Sequence, residues 1–241
     1  MIKAGIARIL HSLGYTLVRT GLGFSTEELN AFKRVQPFTA TSTDRIVGLM
    51  EAVRYLAANR IEGAFVECGV WRGGSMMAAM SALLERGETT REFHLFDTFE
   101  GMAEPGEKDV MYDGQSAKTL MGEDKWCVAG LEDVRRNVLS TGYPKERVHF
   151  IKGKVEDTIP KHAPERIALL RLDTDWYEST AHELKHLYPR LCDNGVLIID
   201  DYGHWQGARQ AVDEYFDKQS YHPLFARMDY SARMAIKPPA R

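Results

Sequence analysis

The 241-residue chain has only three cysteines, Cys68, Cys127 and Cys192. They are too few and too widely spaced for a disulfide framework or a zinc knuckle, and they predict a reducing, cytoplasmic setting. No apolar run approaches the ~18 residues that a membrane span needs, so no transmembrane segment is expected. An excess of one charge is also missing: 31 Lys and Arg stand against 34 Asp and Glu. Nucleic-acid binding usually leaves a clear basic surplus, which excludes a polyanion as the main partner. Internal repeats and low-complexity tracts are absent. What is there, 44% hydrophobic and 27% charged residues, is the composition of a globular protein, and the length suits one large α/β domain.

At the start, Ile2, Ile6, Ile9, Leu10, Leu13 and Leu17 fall at roughly helical spacing, interrupted by His11 and Gly14, with no small-residue cleavage site after them. This reads as an amphipathic helix rather than a signal peptide, packed on the domain or on a second copy, which favours a homo-oligomer. A peripheral membrane contact is the alternative. Residues 1–42 are expected to hold this helix and a connecting segment, and residues 43–241 the main domain.

From Thr43 to Asn59, apolar residues recur at helical spacing. Five short apolar runs follow: Ala64–Cys68, Phe93–Phe96, Val148–Ile151, Ile167–Leu172 and Val196–Ile199. Their residues do not alternate with polar ones, so both faces must be covered, as in a parallel sheet. Helical patterns at Ser75–Glu85, Leu131–Ser140, Ser179–Leu191 and His204–Phe216 separate them. The alternation predicts a doubly wound, mostly parallel α/β sheet of Rossmann-like type. Leu224–Tyr230 and Ala232–Lys237 predict a C-terminal antiparallel hairpin. Between the second run and the next helix, residues 98–130 exceed ordinary loop length. They leave the carboxyl end of a strand, where ligands bind in such sheets, and are expected to form a lid.

The first run ends in Glu67-Cys68-Gly69-Val70-Trp71-Arg72-Gly73-Gly74-Ser75 and enters a helix directly. Glycines there let a ligand approach the backbone, and the helix start offers free N–H groups. Asp97, ending the second run, stands where such folds bind ribose hydroxyls. Together these residues predict a nucleotide-like cofactor without separating a nicotinamide from S-adenosylmethionine. The later strands carry further acids. Asp173 and Asp175 end one run, and Asp200 and Asp201 end the next, so four carboxylates should meet at one rim. They would repel unless something positive sits among them, and neither motif contains a Lys. Oxygen-only ligands select a hard cation, with Mg²⁺ preferred and Ca²⁺ or Mn²⁺ as alternatives. His204, just past the acid pair, is positioned to hydrogen-bond substrate or accept a proton.

Phe65–Ser75, Leu95–Met102, Leu170–Thr180 and Ile198–Ala208 together resemble the macrocin O-methyltransferase, or TylF-type, family. The resemblance spans roughly residues 38–237. It implies a class I methyltransferase fold, S-adenosylmethionine as donor, and a divalent metal holding a hydroxyl of a sugar or other small molecule. It places Glu67, Gly69 and Ser75 along the methionine and ribose part of the donor, Asp97 on the ribose, and the turn containing Val155 and Glu156 beside the adenine. It gives Asp173, Asp200 and Asp201 metal-ligand positions. Related catechol-type enzymes carry a Lys three residues after the first metal Asp. Trp176 stands there in this chain, leaving Asp175 and His204 as candidate bases. Two other readings remain at this point: an NAD-dependent oxidoreductase, which lacks a Tyr-x-x-x-Lys pair here, and a non-catalytic cofactor-binding scaffold.

Overall fold

The five unalternating runs form five parallel strands, each shielded on both faces. They are β1 (Ala64–Cys68), β2 (Phe93–Asp97), β3 (Val148–Lys152), β4 (Ile167–Leu172) and β5 (Leu191–Ile199). The structure is a computed structural model that describes Leu10, Ser12, Leu13 and residues 22–239. The expected N-terminal helix and its role in self-association therefore lie almost wholly outside the described residues. Two short strands, β6 (Ala226–Arg227) and β7 (Arg233–Ile236), complete a sheet of order β3-β2-β1-β4-β5-β7-β6, with β7 antiparallel to β5 and to β6. This is the class I methyltransferase architecture.

Eight α-helices are described: α1 (Thr26–Val35), α2 (Thr43–Ala58), α3 (Gly74–Leu84), α4 (Ala117–Met121), α5 (Leu131–Leu139), α6 (Val155–Thr158), α7 (Tyr177–Leu187) and α8 (Gln206–Phe216). On one face of the sheet, α2, α3 and α5 pack over Phe65, Leu169 and Ile198. On the other, α7 and α8 cover Val66, Leu170 and Leu197. The strand order reverses beside β1, whose neighbours are β2 and β4, so the ligand crevice opens at the carboxyl ends of these three strands.

Two local expectations change, and a third segment is given its place. The connecting segment before residue 43 contains α1, started by a capping box in which Ser25 and Glu28 bond each other's backbone N–H. The helix expected over Ser179–Leu191 starts earlier and stops at Leu187. The chain then makes a 3₁₀ turn through Pro189 and enters β5 at Leu191, five residues before the expected strand start. Residues 98–130 are docked against the domain: Gln206 N–H donates to the Val110 carbonyl at 2.8 Å, and Tyr112 N–H to the His204 carbonyl at 2.9 Å. Among the described residues no helix is long and apolar enough to cross a membrane, and Cys68, Cys127 and Cys192 are unpaired.

Candidate active site

A cavity of about 720 Å³ lies beyond the carboxyl ends of β1, β2, β4 and β5. Of the residues expected at the cofactor, Gly69, Ser75, Asp97, Val155 and Glu156 line it. Gly69 has a φ of +81°, and a Cβ there would sit 2.0 Å from the carbonyl oxygen of Asp173. A side chain is thus excluded where the turn after β1 passes the turn after β4. Asp97 braces the same turn. Its Oδ2 accepts from the N–H groups of Val70 (2.6 Å) and Trp71 (3.0 Å), and its Oδ1 from Phe99 N–H (2.6 Å). It therefore organises the glycine-rich turn as well as lining the cavity.

Glu67 does not line the cavity. It is 1% exposed and lies behind the wall, where its Oε1 accepts from Arg171 Nη1 at 2.7 Å. The two residues are register partners on β1 and β4, so strand pairing alone brings them together. Arg171 also donates to Asp173 Oδ2 and, through Nη2, to Asp200 Oδ1, both at 2.7 Å. Arg45, from α2, pairs with Asp200 Oδ2 and donates to Asp229 Oδ2 at 2.7 Å. Two arginines, neither anticipated from the acid motifs, thus supply the positive charge that the acids demanded. Arg171 was detectable in principle, because an arginine inside an unalternating apolar strand is costly without partners. Arg45, 155 positions before Asp200, gave no local signal.

These pairings set the expected acids in two groups. Both oxygens of Asp200, expected as a metal ligand, are held by arginines. Asp175, expected as a base, lies with Asp173 and Asp201. Carboxylate oxygens of these three residues lie within 4.8 Å of one another. Asp175 has a φ of +68°, a conformation L side chains rarely adopt, and it hydrogen-bonds Asp201. The other oxygen of Asp201, Oδ2, is buried without a hydrogen-bond partner. Burial, followed by like charge from neighbouring acids, pushes Asp201 well above the usual carboxylate range. Burial likewise pushes Asp175 up to about 7, partly offset by its bond to Asp201. A cluster of hard oxygens with an unpartnered buried member fits a divalent cation such as Mg²⁺.

His204 lines the cavity beside this group, with its Nδ1 3.1 Å from the Tyr230 hydroxyl. Burial, with Arg45 nearby, lowers its pKa, so the ring is neutral at neutral pH. Trp176, at the position of the catechol-type Lys, is 4% exposed. Its Nε1–H donates to the Ala103 carbonyl at 2.8 Å, and its ring meets Trp205 edge-on with centroids 5.0 Å apart. It fastens residues 98–130 over the crevice and presents no proton-transfer group there.

The model of the family described as Macrocin-O-methyltransferase (TylF) matches residues 31–234. The tetracenomycin relative 8-demethyl-8-(2,3-dimethoxy-alpha-L-rhamnosyl)-tetracenomycin-C 4'-O-methyltransferase of Streptomyces olivaceus is 37% identical over 177 residues, covering 73% of this chain and 67% of the relative. Demethyldecarbamoylnovobiocin O-methyltransferase of Streptomyces niveus is 33% identical with the same coverage. Among solved structures, the O-methyltransferase NovP superposes with a TM-score of 0.75 at 29% identity, covering 83% of this chain and 82% of that one.

Proposed function

Because this chain belongs to the macrocin O-methyltransferase family and is an S-adenosylmethionine-dependent O-methyltransferase, we propose that it methylates a hydroxyl of a sugar or glycosylated small molecule with the help of a divalent cation. The supporting observation is the three-carboxylate group of Asp173, Asp175 and Asp201, with its unpartnered Asp201 Oδ2, opening into the cavity lined by Gly69, Ser75 and Asp97. The name of the tetracenomycin relative, which carries a rhamnosyl group, supports a glycosylated acceptor.

Asp173, Asp175 and Asp201 would hold the cation, preferentially Mg²⁺, which supplies positive charge that lowers the pKa of the acceptor hydroxyl. Gly69, Ser75 and Asp97 bind the donor on the β1 and β2 side of the same cavity, with Val155 and Glu156 beside its base. The enzyme then mainly aligns two reactants. Asp175 sits within the carboxylate group, which leaves His204 to receive the acceptor's proton. Its ring is neutral and is oriented by Tyr230. Met102 and Trp126 line the crevice from residues 98–130, which act as the lid that excludes water.

Turnover of a rhamnosylated polyketide by purified protein should be lost in EDTA and return with Mg²⁺. Asp201→Asn should lower kcat by about 100-fold or more while S-adenosylhomocysteine affinity, read by calorimetry, changes little. Full turnover in chelator would refute the metal role, and parallel loss of donor binding would assign Asp201 to the donor instead.

A further inference from the structure

Behind the carboxylate group, on the sheet face that carries Cys68 and Leu172, lies an acid the reaction does not use. Glu183, from α7, has no exposed surface. One of its oxygens, Oε1, accepts from the Thr174 hydroxyl at 3.0 Å, and the other, Oε2, has no hydrogen-bond partner. The Cys68 thiol hydrogen-bonds it, and the neighbouring charge that acts on it is another acid, Glu156. Burial raises its pKa well above the usual carboxylate range. A carboxyl in such a place gains nothing from solvent, and of its two side-chain partners, the Thr174 hydroxyl and the Cys68 thiol, only Thr174 lies between the clustered acids.

That bond goes to the residue between Asp173 and Asp175. The turn here is demanding. Asp173 N–H is tied to the Cys68 carbonyl at 2.9 Å and Trp176 N–H to the Thr174 carbonyl at 2.8 Å, while Asp175 between them is held at φ +68°. A non-glycine residue persists in that conformation only where its surroundings over-determine it. Thr174 lines the cavity, and its hydroxyl is where a restraint from below can act on the turn.

We infer that Glu183 is a positioning residue: through the Thr174 hydroxyl it fixes the turn that presents Asp173 and Asp175 to the acceptor side of the cavity. The consequence for catalysis rests on the reading of the acid group proposed above; the restraint on the turn does not. Glutamine retains an oxygen at the same reach, so Glu183→Gln should preserve the function, whereas Glu183→Ala and Thr174→Val each remove the bond.

Two readouts test this. The first is amide hydrogen exchange of residues 173–176 in the ligand-free protein, which needs neither metal nor turnover. Exchange should be about tenfold faster in Glu183→Ala and Thr174→Val, and unchanged in Glu183→Gln. The second is steady-state kinetics, where kcat should fall about tenfold or more in the first two variants, with the donor KM within about twofold and rescue by Glu183→Gln. If Glu183→Ala does not fold, Thr174→Val, which removes only a hydroxyl, decides. Wild-type exchange in Thr174→Val, or a Glu183→Gln protein as impaired as Glu183→Ala, would overturn the inference. Faster exchange with undiminished turnover would support the restraint and count against the catalytic reading of the acid group.

Discussion

Arg171 shows how one side chain sets the character of the site. It occupies the middle of an apolar strand and would be expelled from it without Glu67, Asp173 and Asp200 around it. The cost of burying these charges is high enough that Glu67 is still pushed up to about 7, because burial outweighs the arginine beside it. Arg45 does the complementary work from α2, joining Asp200 to Asp229 in the turn before β7. Its side chain is 11% exposed and that of Asp200 4%, so their pairing is screened little by solvent. Breaking such a pair from one side leaves buried Asp200 to Arg171 alone and takes the arginine from Asp229. Arg45→Met should therefore lower unfolding stability by about 3 kcal/mol, read as a drop in the urea midpoint at pH 7.5. Adding Asp229→Asn to it should cost less than the two single losses combined. A midpoint within error of wild type would show that Arg171 alone holds Asp200.

At the level of elements, what was legible followed from periodicity. Short unalternating runs such as Ala64–Cys68 and Ile167–Leu172, bounded by turn residues or acids, read as strands covered on both faces, and they are. The positions of Gly69, Ser75, Asp97 and the paired acids on the cavity wall then followed from strand ends. Where tertiary context decides, local pattern was silent. α1 is the exception: Ala31, Phe32 and Val35 recur at helical spacing on its core face and a capping box starts it, so both signals were legible. The ion pairs of Arg45 join α2 to strand ends far along the chain, and no spacing encodes that. The docking of residues 98–130 is of the same kind. Its latch is Asp109, 1% exposed, which accepts from Gly106 N–H at 2.7 Å and from Tyr177 N–H at 2.8 Å, at the start of α7. Gly207 of α8 leaves the room for it, since a Cβ there would lie 2.2 Å from Asp109 Oδ1. Gly207→Ala should displace Asp109 and loosen the lid without touching the donor wall. The expected result is faster limited proteolysis between residues 101 and 130 and an acceptor KM raised by about tenfold, with S-adenosylhomocysteine affinity retained. Unchanged proteolysis would show that the Trp176 and Gln206 contacts suffice to hold the segment.

Across the whole molecule, the near-zero net charge conceals buried groups that titrate far from their ordinary values. Glu67 and Asp175 are raised to about 7, and Asp173, Asp201 and Glu183 are raised as well, burial being the main cause in each. A raised carboxyl holds its proton in the folded chain after the unfolded chain has released it, so stability falls as pH climbs from the unfolded value toward the folded one. Three histidines oppose this: burial lowers His94 to about 4 and also lowers His186 and His204, so each favours the fold increasingly as pH rises toward 6.5. The lowered carboxylates, Glu92, Glu214 and Asp229 among them, lose their contribution only as pH falls below the ordinary carboxylate range. Between about pH 5 and pH 8 the raised acids therefore outweigh the rest, with Glu67 alone contributing a loss of about 3 kcal/mol. Chelator-treated protein should show a urea midpoint that declines across this range. Excess Mg²⁺ should flatten the decline, because a cation binds the ionised form of Asp173, Asp175 and Asp201 and so favours the fold most where those groups have lost their protons. A metal-free midpoint that rises from pH 5 to pH 8 would mean that arginines neutralise the buried acids more completely than their burial opposes ionisation.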